Sequence, residues 1–330
     1  MFFKPAIIAL FTGSFLISGM LLFSAFYAGQ ILSKWDIKSG AETQLKLERS
    51  TYLVSSIMAY ALAFQLFSFF LFVYTADNLH PFFTGAMCAA GSLNADKWGY
   101  PAILLKVLNF LLAGSWLILN FTDNRGYDYP LIKQKYTLLL WITPFILAET
   151  AIQAAYFLGL APEVITSCCG TTFSAEAQSI AAEVVALPVP TMEAAFYSSV
   201  SVMGVLGVCF YRTGKGGYLF SAASSVTFFI AIAALISFVS IYIYELPTHH
   251  CPFCILQQEY GYIGYPLYLT LLGGALGGLG VGILMPFREI ASLKEILPII
   301  QKKLTLLSLT LYALFTALVI YKVIFSNLKM

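Results

Sequence analysis

Two histidines and two cysteines stand together in one short segment of this sequence. The stretch Tyr244–Tyr265 reads YELPTHHCPFCILQQEYGYIGY, so His249 and His250 directly precede the Cys251-Pro-Phe-Cys254 motif. Two cysteines at C-x-x-C spacing can share a disulfide or a metal ion. Because neighbouring imidazolium groups and helix amides lower the pKa of a thiol, we expect Cys251 to form a reactive thiolate at the start of a helix. The structural alternative is a static disulfide that clasps the loop.

The composition places this segment in a membrane protein. Of the 330 residues, 59% are hydrophobic and only 10% are charged, which is far too apolar for a soluble domain. Apolar stretches of about 20 residues cross the hydrocarbon core as helices. The sequence therefore predicts an all-α, polytopic integral membrane protein, a single transmembrane domain surrounded by lipid. Its eight helices are predicted near 6–28, 52–75, 101–120, 137–160, 192–211, 218–244, 264–285 and 304–326. The lack of a basic run argues against nucleic acid as a partner.

The distribution of Lys and Arg predicts the orientation. Thirteen of them fall in or beside the loops after the first, third, fifth and seventh helices, and four fall on the other side. Cytoplasmic loops accumulate these residues. We therefore expect both termini to lie on the extracytoplasmic side, which in a bacterial cytoplasmic membrane is the periplasm.

This orientation puts every histidine and five of the six cysteines on the outer side. Cys209, near the inner end of the fifth helix, is the exception. The outer group consists of His80, Cys88, Cys168, Cys169, His249, His250, Cys251 and Cys254. His80 precedes a proline, and we assign it no role. Disulfides persist in the oxidising periplasm, and five outer cysteines leave one unpaired, as a thiol-exchange relay would. Cys168 and Cys169 are adjacent, and one of them is expected to pair elsewhere, Cys88 being a candidate.

The segment from Cys251 to Gly278, CPFCILQQEYGYIGYPLYLTLLGGALGG, resembles the active segment of the DsbB family. Its CPFC is also similar to the Cys-Pro-aromatic-Cys of bacterial vitamin K epoxide reductase homologues. Both families pass electrons from periplasmic thiols to a membrane quinone. The resemblance implies that Cys251 and Cys254 are the pair next to the quinone and that Gln257 occupies the position after the motif. Tyr262 and Tyr265 complete the candidate cofactor-binding residues.

The sequence departs from these families in three ways. They have a core of about four helices, whereas eight are predicted here. The Arg that often follows the Gln is replaced by Gln258 and Glu259. A second thiol pair is not evident.

Two other functions remain open. Soft thiolates with imidazole suit Cu(I), Zn(II) or Hg(II), so a metal-binding or metal-transport protein is the first alternative. Its ligands would be Cys88, Cys168, Cys169, His249, His250, Cys251 and Cys254. The second alternative is a structural subunit of a larger membrane complex, with disulfides that only fasten the outer loops.

Other parts of the sequence are mainly structural. The 161–191 loop predicts a short interfacial helix on the outer side, and 286–303 is an amphipathic, basic inner segment. Glycines four residues apart in the seventh helix predict close helix packing. Lys106 and Glu149 lie inside predicted helices. We expect Glu149 to be protonated or paired, with Lys106 or Asn109 as candidates, as part of a proton path or of interhelical hydrogen bonding.

Overall fold

The computed structural model describes residues 4–37, 39–161, 164–166 and 180–328 of the chain, and these form helices, turns and one isolated β-bridge without strands. A π-helical turn, Leu235–Val239, joins two of the helices, and short 3₁₀ turns cover His80–Phe82, Cys254–Leu256, Gln258–Tyr260 and Met285–Phe287. The α-helices are α1 (Pro5–Lys34), α2 (Glu42–Asp77), α3 (Ala89–Asn94), α4 (Gly99–Asp123), α5 (Ile132–Gly159), α6 (Ile180–Val185), α7 (Val189–Thr213), α8 (Gly217–Ala234), α9 (Ser240–Tyr244), α10 (Gly264–Leu284) and α11 (Ile296–Ile324).

Eight helical segments in the described residues are long and apolar enough to cross a membrane, as the sequence predicts. Several extend beyond the predicted bounds because polar turns continue the helix. Helix α2 begins ten residues before its apolar stretch, where Glu42 and Lys46 form an ion pair of 2.7 Å one turn apart. Helix α11 begins at Ile296, so the second half of the predicted inner amphipathic segment belongs to it, while residues 288–295 form turns.

The chain divides into two compact units. The first contains the residues through Thr75, Asp96–Leu160 and Pro286–Leu297. In it, α5 packs against both α1 and α4, and its apolar core includes Leu21, Trp116 and Ile146. Hydrogen bonds between buried side chains also join these helices, for example from Ser18 on α1 to Thr150 on α5 at 2.9 Å.

The second unit contains Ala76–Ala95, Ala161–Met285 and the chain from Pro298 onward. In it, α8 packs against α7 and α10. A Cβ atom on Gly278 of α10 would overlap the Ser224 side chain of α8, and one on Gly277 would lie 3.1 Å from the Leu304 carbonyl oxygen of α11. The glycines therefore let two neighbouring helices approach the backbone of α10, and the prediction of close packing is confirmed.

The predicted outer loop 161–191 is described only in part. Helix α6, Ile180–Val185, lies within the stretch where the interfacial helix is predicted. Residues 167–179, which include the predicted start of that helix, lie outside the described residues.

Candidate functional site

Three cysteine side chains of the second unit meet in its interior. Cys88, Cys251 and Cys254 are all buried, and their Sγ atoms lie within 4.8 Å of one another. The Sγ atoms of Cys88 and Cys251 are 3.6 Å apart. We call these three side chains the thiol cluster. Two chain segments that are 163 residues apart supply it, so the fold, rather than the C-x-x-C spacing alone, brings the sulfurs together.

The segment after α2 positions Cys88. It turns at Gly85, whose φ of +86° favours glycine and where a Cβ atom would overlap the Thr166 carbonyl oxygen. Thr84 forms a parallel β-bridge with Ile165, and the backbone N–H of Thr166 donates to the Thr84 carbonyl at 2.9 Å. The short helix α3 follows Cys88 and is buried from Ala89 to Leu93. The Cys88 side chain is thus held between a fixed turn and a buried helix.

The segment between α9 and α10 positions Cys251 and Cys254. The Tyr244 hydroxyl donates to the Cys251 carbonyl, and the Tyr268 hydroxyl donates to the Pro252 carbonyl. Gln257 Nε2 donates to the Met87 carbonyl at 2.6 Å and so joins this segment to the one that carries Cys88. Cys251 does not begin a helix, so that expectation is wrong, whereas the long helix that follows the motif begins at residue 264 as predicted. Cys254 opens a 3₁₀ turn, and α10 begins only at Gly264, after the positive-φ residues Gly261 and Tyr262.

The two histidines have different surroundings. His250 is buried, and its Nδ1 lies 3.1 Å and 3.0 Å from the carbonyl oxygens of Ile236 and Ser237, in the π-helical turn. Nδ1 therefore donates, which leaves Nε2 as the nitrogen that can accept a proton. The His249 ring packs edge-on against Tyr244, with centroids 4.3 Å apart. The compact ligand group found among the described residues contains the three sulfurs and neither histidine.

The pKa of Tyr260 is influenced by the thiol cluster. Partial burial raises the pKa of Tyr260, and the nearby Cys254 thiol, Glu259 carboxylate and Cys88 thiol raise it further. The Tyr260 ring also packs on Tyr244, with centroids 4.7 Å apart. The raised pKa keeps the Tyr260 hydroxyl protonated at neutral pH.

The remaining predicted site residues are not all part of this arrangement. Cys168 and Cys169 lie outside the described residues. Tyr262 is about half exposed, and its ring lies 6.3 Å from that of Tyr265. Cys209 is exposed on α7, and His80 bonds through Nδ1 to the Asp77 carbonyl oxygen.

The sequence analysis missed Tyr244 and Tyr268, which fix the backbone of the motif. Both lie at helix ends in a chain with 20 tyrosines, where aromatic residues are common in any membrane protein. Nothing in their spacing separates them from such interfacial residues.

A second buried polar group lies in the first unit. Glu149 Oε1 and Lys106 Nζ are 2.6 Å apart, with 2% and 1% of their side chains exposed. Glu149 Oε2 accepts hydrogen bonds from Gln65 Nε2 and Asn109 Nδ2, each at 2.6 Å. The predicted pairing of Glu149 with Lys106 and Asn109 is confirmed. We call this group the Glu149 centre.

The surroundings of Lys106 complete the Glu149 centre. Its Nζ also donates to Ser68 Oγ at 3.1 Å and lies 5.1 Å from the centroid of the Phe72 ring. The ammonium group is therefore fixed in the interior and does not extend to the membrane surface. Three helices, α2, α4 and α5, supply the side chains, so the centre fastens these helices to one another.

The first unit has another buried ion pair, which the sequence analysis missed. Lys135 Nζ lies 2.6 Å from Asp123 Oδ2, and both side chains are buried. Lys135 counts in the sequence as a cation of an inner loop, but the structure places it in the first turn of α5. In the sequence, Asp123 and Lys135 stand at the two ends of a short connection between helices. Opposite charges in such positions are too common to predict a buried ion pair.

No family model, curated protein or solved structure matches the chain.

Proposed function

We propose that this protein is a membrane thiol–disulfide oxidoreductase whose reaction centre is the thiol cluster. The observation that carries the proposal is the meeting of three buried sulfurs, two of them from the CPFC motif, within 4.8 Å of one another. Buried cysteines are common as small apolar residues, but three in mutual reach are placed for exchange. A shift of about 1.6 Å would bring the Cys88 and Cys251 sulfurs from 3.6 Å to bonding distance.

Thiol–disulfide exchange inside the cluster moves a disulfide from one pair of cysteines to another. In the oxidised protein, Cys251 and Cys254 share a disulfide. The Cys88 thiolate attacks Cys251 Sγ, the Cys251–Cys254 bond breaks, and Cys254 leaves as a thiolate that takes up a proton. A Cys88–Cys251 disulfide results, with no net change in electrons.

Electrons enter and leave through other reactants. A dithiol protein reduces the cluster, giving up two electrons and two protons as its own disulfide forms. A membrane quinone then accepts two electrons and two protons from Cys251 and Cys254, and their disulfide re-forms. Because the three sulfurs are buried, an external thiol needs an intermediate carrier, and Cys168 and Cys169 are the candidates from the sequence. Gln257, Tyr262 and Tyr265 are the candidates for quinone contact.

The proposed location follows from the charge distribution. Lys and Arg are concentrated in the loops on the side opposite to the cysteines. The thiol cluster then faces the periplasm of a bacterial cytoplasmic membrane, and the reductant is a periplasmic thiol protein. A larger membrane complex is the alternative setting.

The test measures electron transfer by single-cysteine variants. Purified protein receives a reduced dithiol peptide and a soluble quinone, and reduction of the quinone is followed by absorbance. We expect Cys251→Ser and Cys254→Ser to reduce turnover to the background rate, because neither variant can form the motif disulfide. Cys209→Ser is the matched control, since this exposed cysteine lies on α7 and should leave the rate unchanged. Wild-type turnover in Cys251→Ser would overturn the proposal.

Binding of a soft metal ion is the second candidate function. Thiolates at about 2.3 Å from a zinc or copper ion lie about 4 Å from one another, which is close to the spacing in the thiol cluster. The three sulfurs, without a histidine, suit Cu(I) better than Zn(II), which prefers four ligands. Titration of the reduced protein with Cu(I) against a competing chelator tests it. Metal handling predicts one tightly bound ion that Cys88→Ser releases and Cys209→Ser retains.

A further inference from the structure

The thiol cluster depends on two chain segments that lie far apart in the sequence. One carries Cys88, whose backbone is extended with a φ of −159° and a ψ of −176°, and the other carries the CPFC motif. The Sγ atoms of Cys88 and Cys251 are 3.6 Å apart, whereas a disulfide needs about 2.05 Å between its sulfurs. The two segments must therefore keep their relative position closely, because a pair of Cα atoms more than about 7 Å apart cannot be bridged.

The side chain of Gln257 crosses from one segment to the other. Its Nε2 donates to the Met87 carbonyl oxygen at 2.6 Å. That carbonyl belongs to the peptide bond between Met87 and Cys88, so the hydrogen bond acts on the backbone directly beside the residue that carries the sulfur. A carbonyl oxygen only accepts hydrogen bonds, so the amide N–H group of Gln257 is the required donor.

The backbone of Gln257 is fixed to the CPFC segment. Its N–H donates to the Cys254 carbonyl at 3.0 Å and closes the 3₁₀ turn that Cys254 opens. Its carbonyl oxygen accepts from the N–H groups of Tyr260 and Tyr262 at 3.2 Å and 3.1 Å. Gln257 is therefore anchored beside Cys254 through its backbone and beside Cys88 through its side chain.

The other contacts described above support each segment separately. The Tyr244 and Tyr268 hydroxyls bond to the motif backbone, and the Thr166 N–H bonds to Thr84 in the segment that carries Cys88. None of these three contacts joins the two segments, whereas the Gln257 side chain does. Loss of its amide should therefore change the relative position of the segments without unfolding either of them.

We propose that Gln257 is a positioning residue that holds the Cys88 thiol against Cys251 through the Met87 carbonyl. The proposal rests on the proposed exchange, in which the Cys88 thiolate attacks Cys251 Sγ and Cys254 leaves as a thiolate, with no net change in electrons. Gln257 takes no part in the bonds that form or break. It raises the effective concentration of one thiol at the other, as fixed geometry does for any two reacting groups. This role differs from the quinone contact that the resemblance implies for Gln257.

The first experiment measures the effective concentration of the two thiols without a quinone. In the full-length protein, Cys254 and the cysteines outside the cluster are replaced by serine, so that only Cys88 and Cys251 remain. The protein in detergent is equilibrated anaerobically with oxidised and reduced glutathione. One oxidised glutathione gives two reduced molecules as the Cys88–Cys251 disulfide forms, and alkylation followed by mass spectrometry gives the oxidised fraction.

Substitutions of Gln257 should lower this effective concentration. We expect Gln257→Leu to lower it about three- to tenfold, the change that loss of one hydrogen bond of ordinary strength produces. Gln257→Glu should lower it at least as much at neutral pH, because a carboxylate of almost the same size has no N–H to donate. A role that depended on size alone would leave Gln257→Glu at the value of the parent protein.

The neighbouring glutamine supplies the matched controls. Gln258 is exposed, so Gln258→Leu and Gln258→Glu should retain the effective concentration of the parent protein while they repeat the change in polarity or charge. Thermal unfolding of each variant in its reduced form checks that it is folded.

The second experiment separates positioning from quinone contact. In the otherwise unchanged protein, Gln257→Leu should lower kcat for quinone reduction and leave kcat/KM for the quinone unchanged, because the quinone reacts with Cys251 and Cys254 only after the exchange. A variant that had lost a quinone contact would instead show a lower kcat/KM for the quinone.

Two sets of results would overturn the proposal. The first is an unchanged effective concentration in Gln257→Leu and Gln257→Glu, or an equal loss in the Gln258 variants. The second is a loss confined to kcat/KM for the quinone, which would assign Gln257 to quinone contact. The redox function fails separately, since wild-type protein that reduces no quinone would contradict it while the glutathione measurement still decides the role of Gln257.

Discussion

The Glu149 centre of the first unit and the thiol cluster of the second bury polar side chains in opposite ways. Around Glu149, a charged carboxylate meets an ammonium and two amides, all at 2.6 Å. In the thiol cluster, three sulfurs lie within 4.8 Å of one another, and those of Cys88 and Cys251 are 3.6 Å apart. Buried charges are stable only with their partners, whereas buried thiols cost little by themselves. The first arrangement joins three helices through fixed contacts, and the second places the sulfurs where the proposed exchange needs them.

This difference bears on the two interpretations of Glu149 that the sequence leaves open, a proton path and interhelical hydrogen bonding. A carboxylate with three close donors, held by side chains of three helices, is what interhelical hydrogen bonding requires. Such a group is expensive to disturb, because loss of one partner leaves the other charge buried and unpaired. We therefore assign the Glu149 centre to the stability of the first unit.

The largest expected effect comes from breaking this ion pair. Glu149→Ala should lower the free energy of unfolding by about 3–5 kcal/mol, because it leaves the Lys106 ammonium without a counter-charge. Denaturant unfolding in detergent measures it. Glu42→Ala is the matched control, since the exposed Glu42–Lys46 pair should contribute less than about 0.5 kcal/mol.

A double variant makes this comparison sharper. Replacement of both charges, Lys106→Met with Glu149→Leu, should recover part of the lost stability, because no charge is left unpaired. The amides of Gln65 and Asn109 still lose their acceptor, so the recovery should be incomplete. If Glu149→Ala proved as mild as Glu42→Ala, the assignment of the Glu149 centre to stability would fail.

A smaller effect is expected where α10 meets α8 in the second unit. Gly278→Ala places a methyl group against Ser224 and should cost about 1–3 kcal/mol, because the two helices must separate. Gly204→Ala is the control, since its Cβ atom meets nothing within 4 Å and alanine favours a helix. Equal thermal stability of the two variants would show that the α8–α10 contact is looser than the structure indicates.

Substitution of Cys251 is expected to change stability least and the proposed thiol exchange most. In the reduced protein, Cys251→Ala should lower the free energy of unfolding by only about 1 kcal/mol, as for a small cavity, while it removes thiol exchange. The same denaturant unfolding measures the first effect, and quinone reduction measures the second. A loss as large as that in Glu149→Ala would mean that the sulfurs are structural, and the contrast between the two regions would disappear.

The eight long helices could be predicted from the sequence because the length of an apolar stretch determines them. Hydropathy does not detect polar helical turns such as the one at Glu42. It also does not distinguish the buried Lys135 from a lysine in an exposed loop, because the ion pair with Asp123 forms only in the tertiary structure. The cysteines of the predicted outer loops indicated the candidate site. The contact between Cys88 and Cys251, however, depends on the turn of the chain at Gly85. The hydrogen bonds from Tyr244 and Tyr268 to the motif backbone likewise depend on tertiary packing, so no spacing pattern in the sequence predicts them.

The most direct test of the central claim maps the cysteines of one anaerobic preparation. The protein is alkylated and digested before and after addition of a dithiol and then of a quinone, and bound metal is quantified in parallel. We predict a metal-free protein in which a Cys251–Cys254 disulfide opens with the dithiol and forms again with the quinone. A fixed disulfide set, or thiols protected by one bound soft metal ion, would contradict the redox proposal.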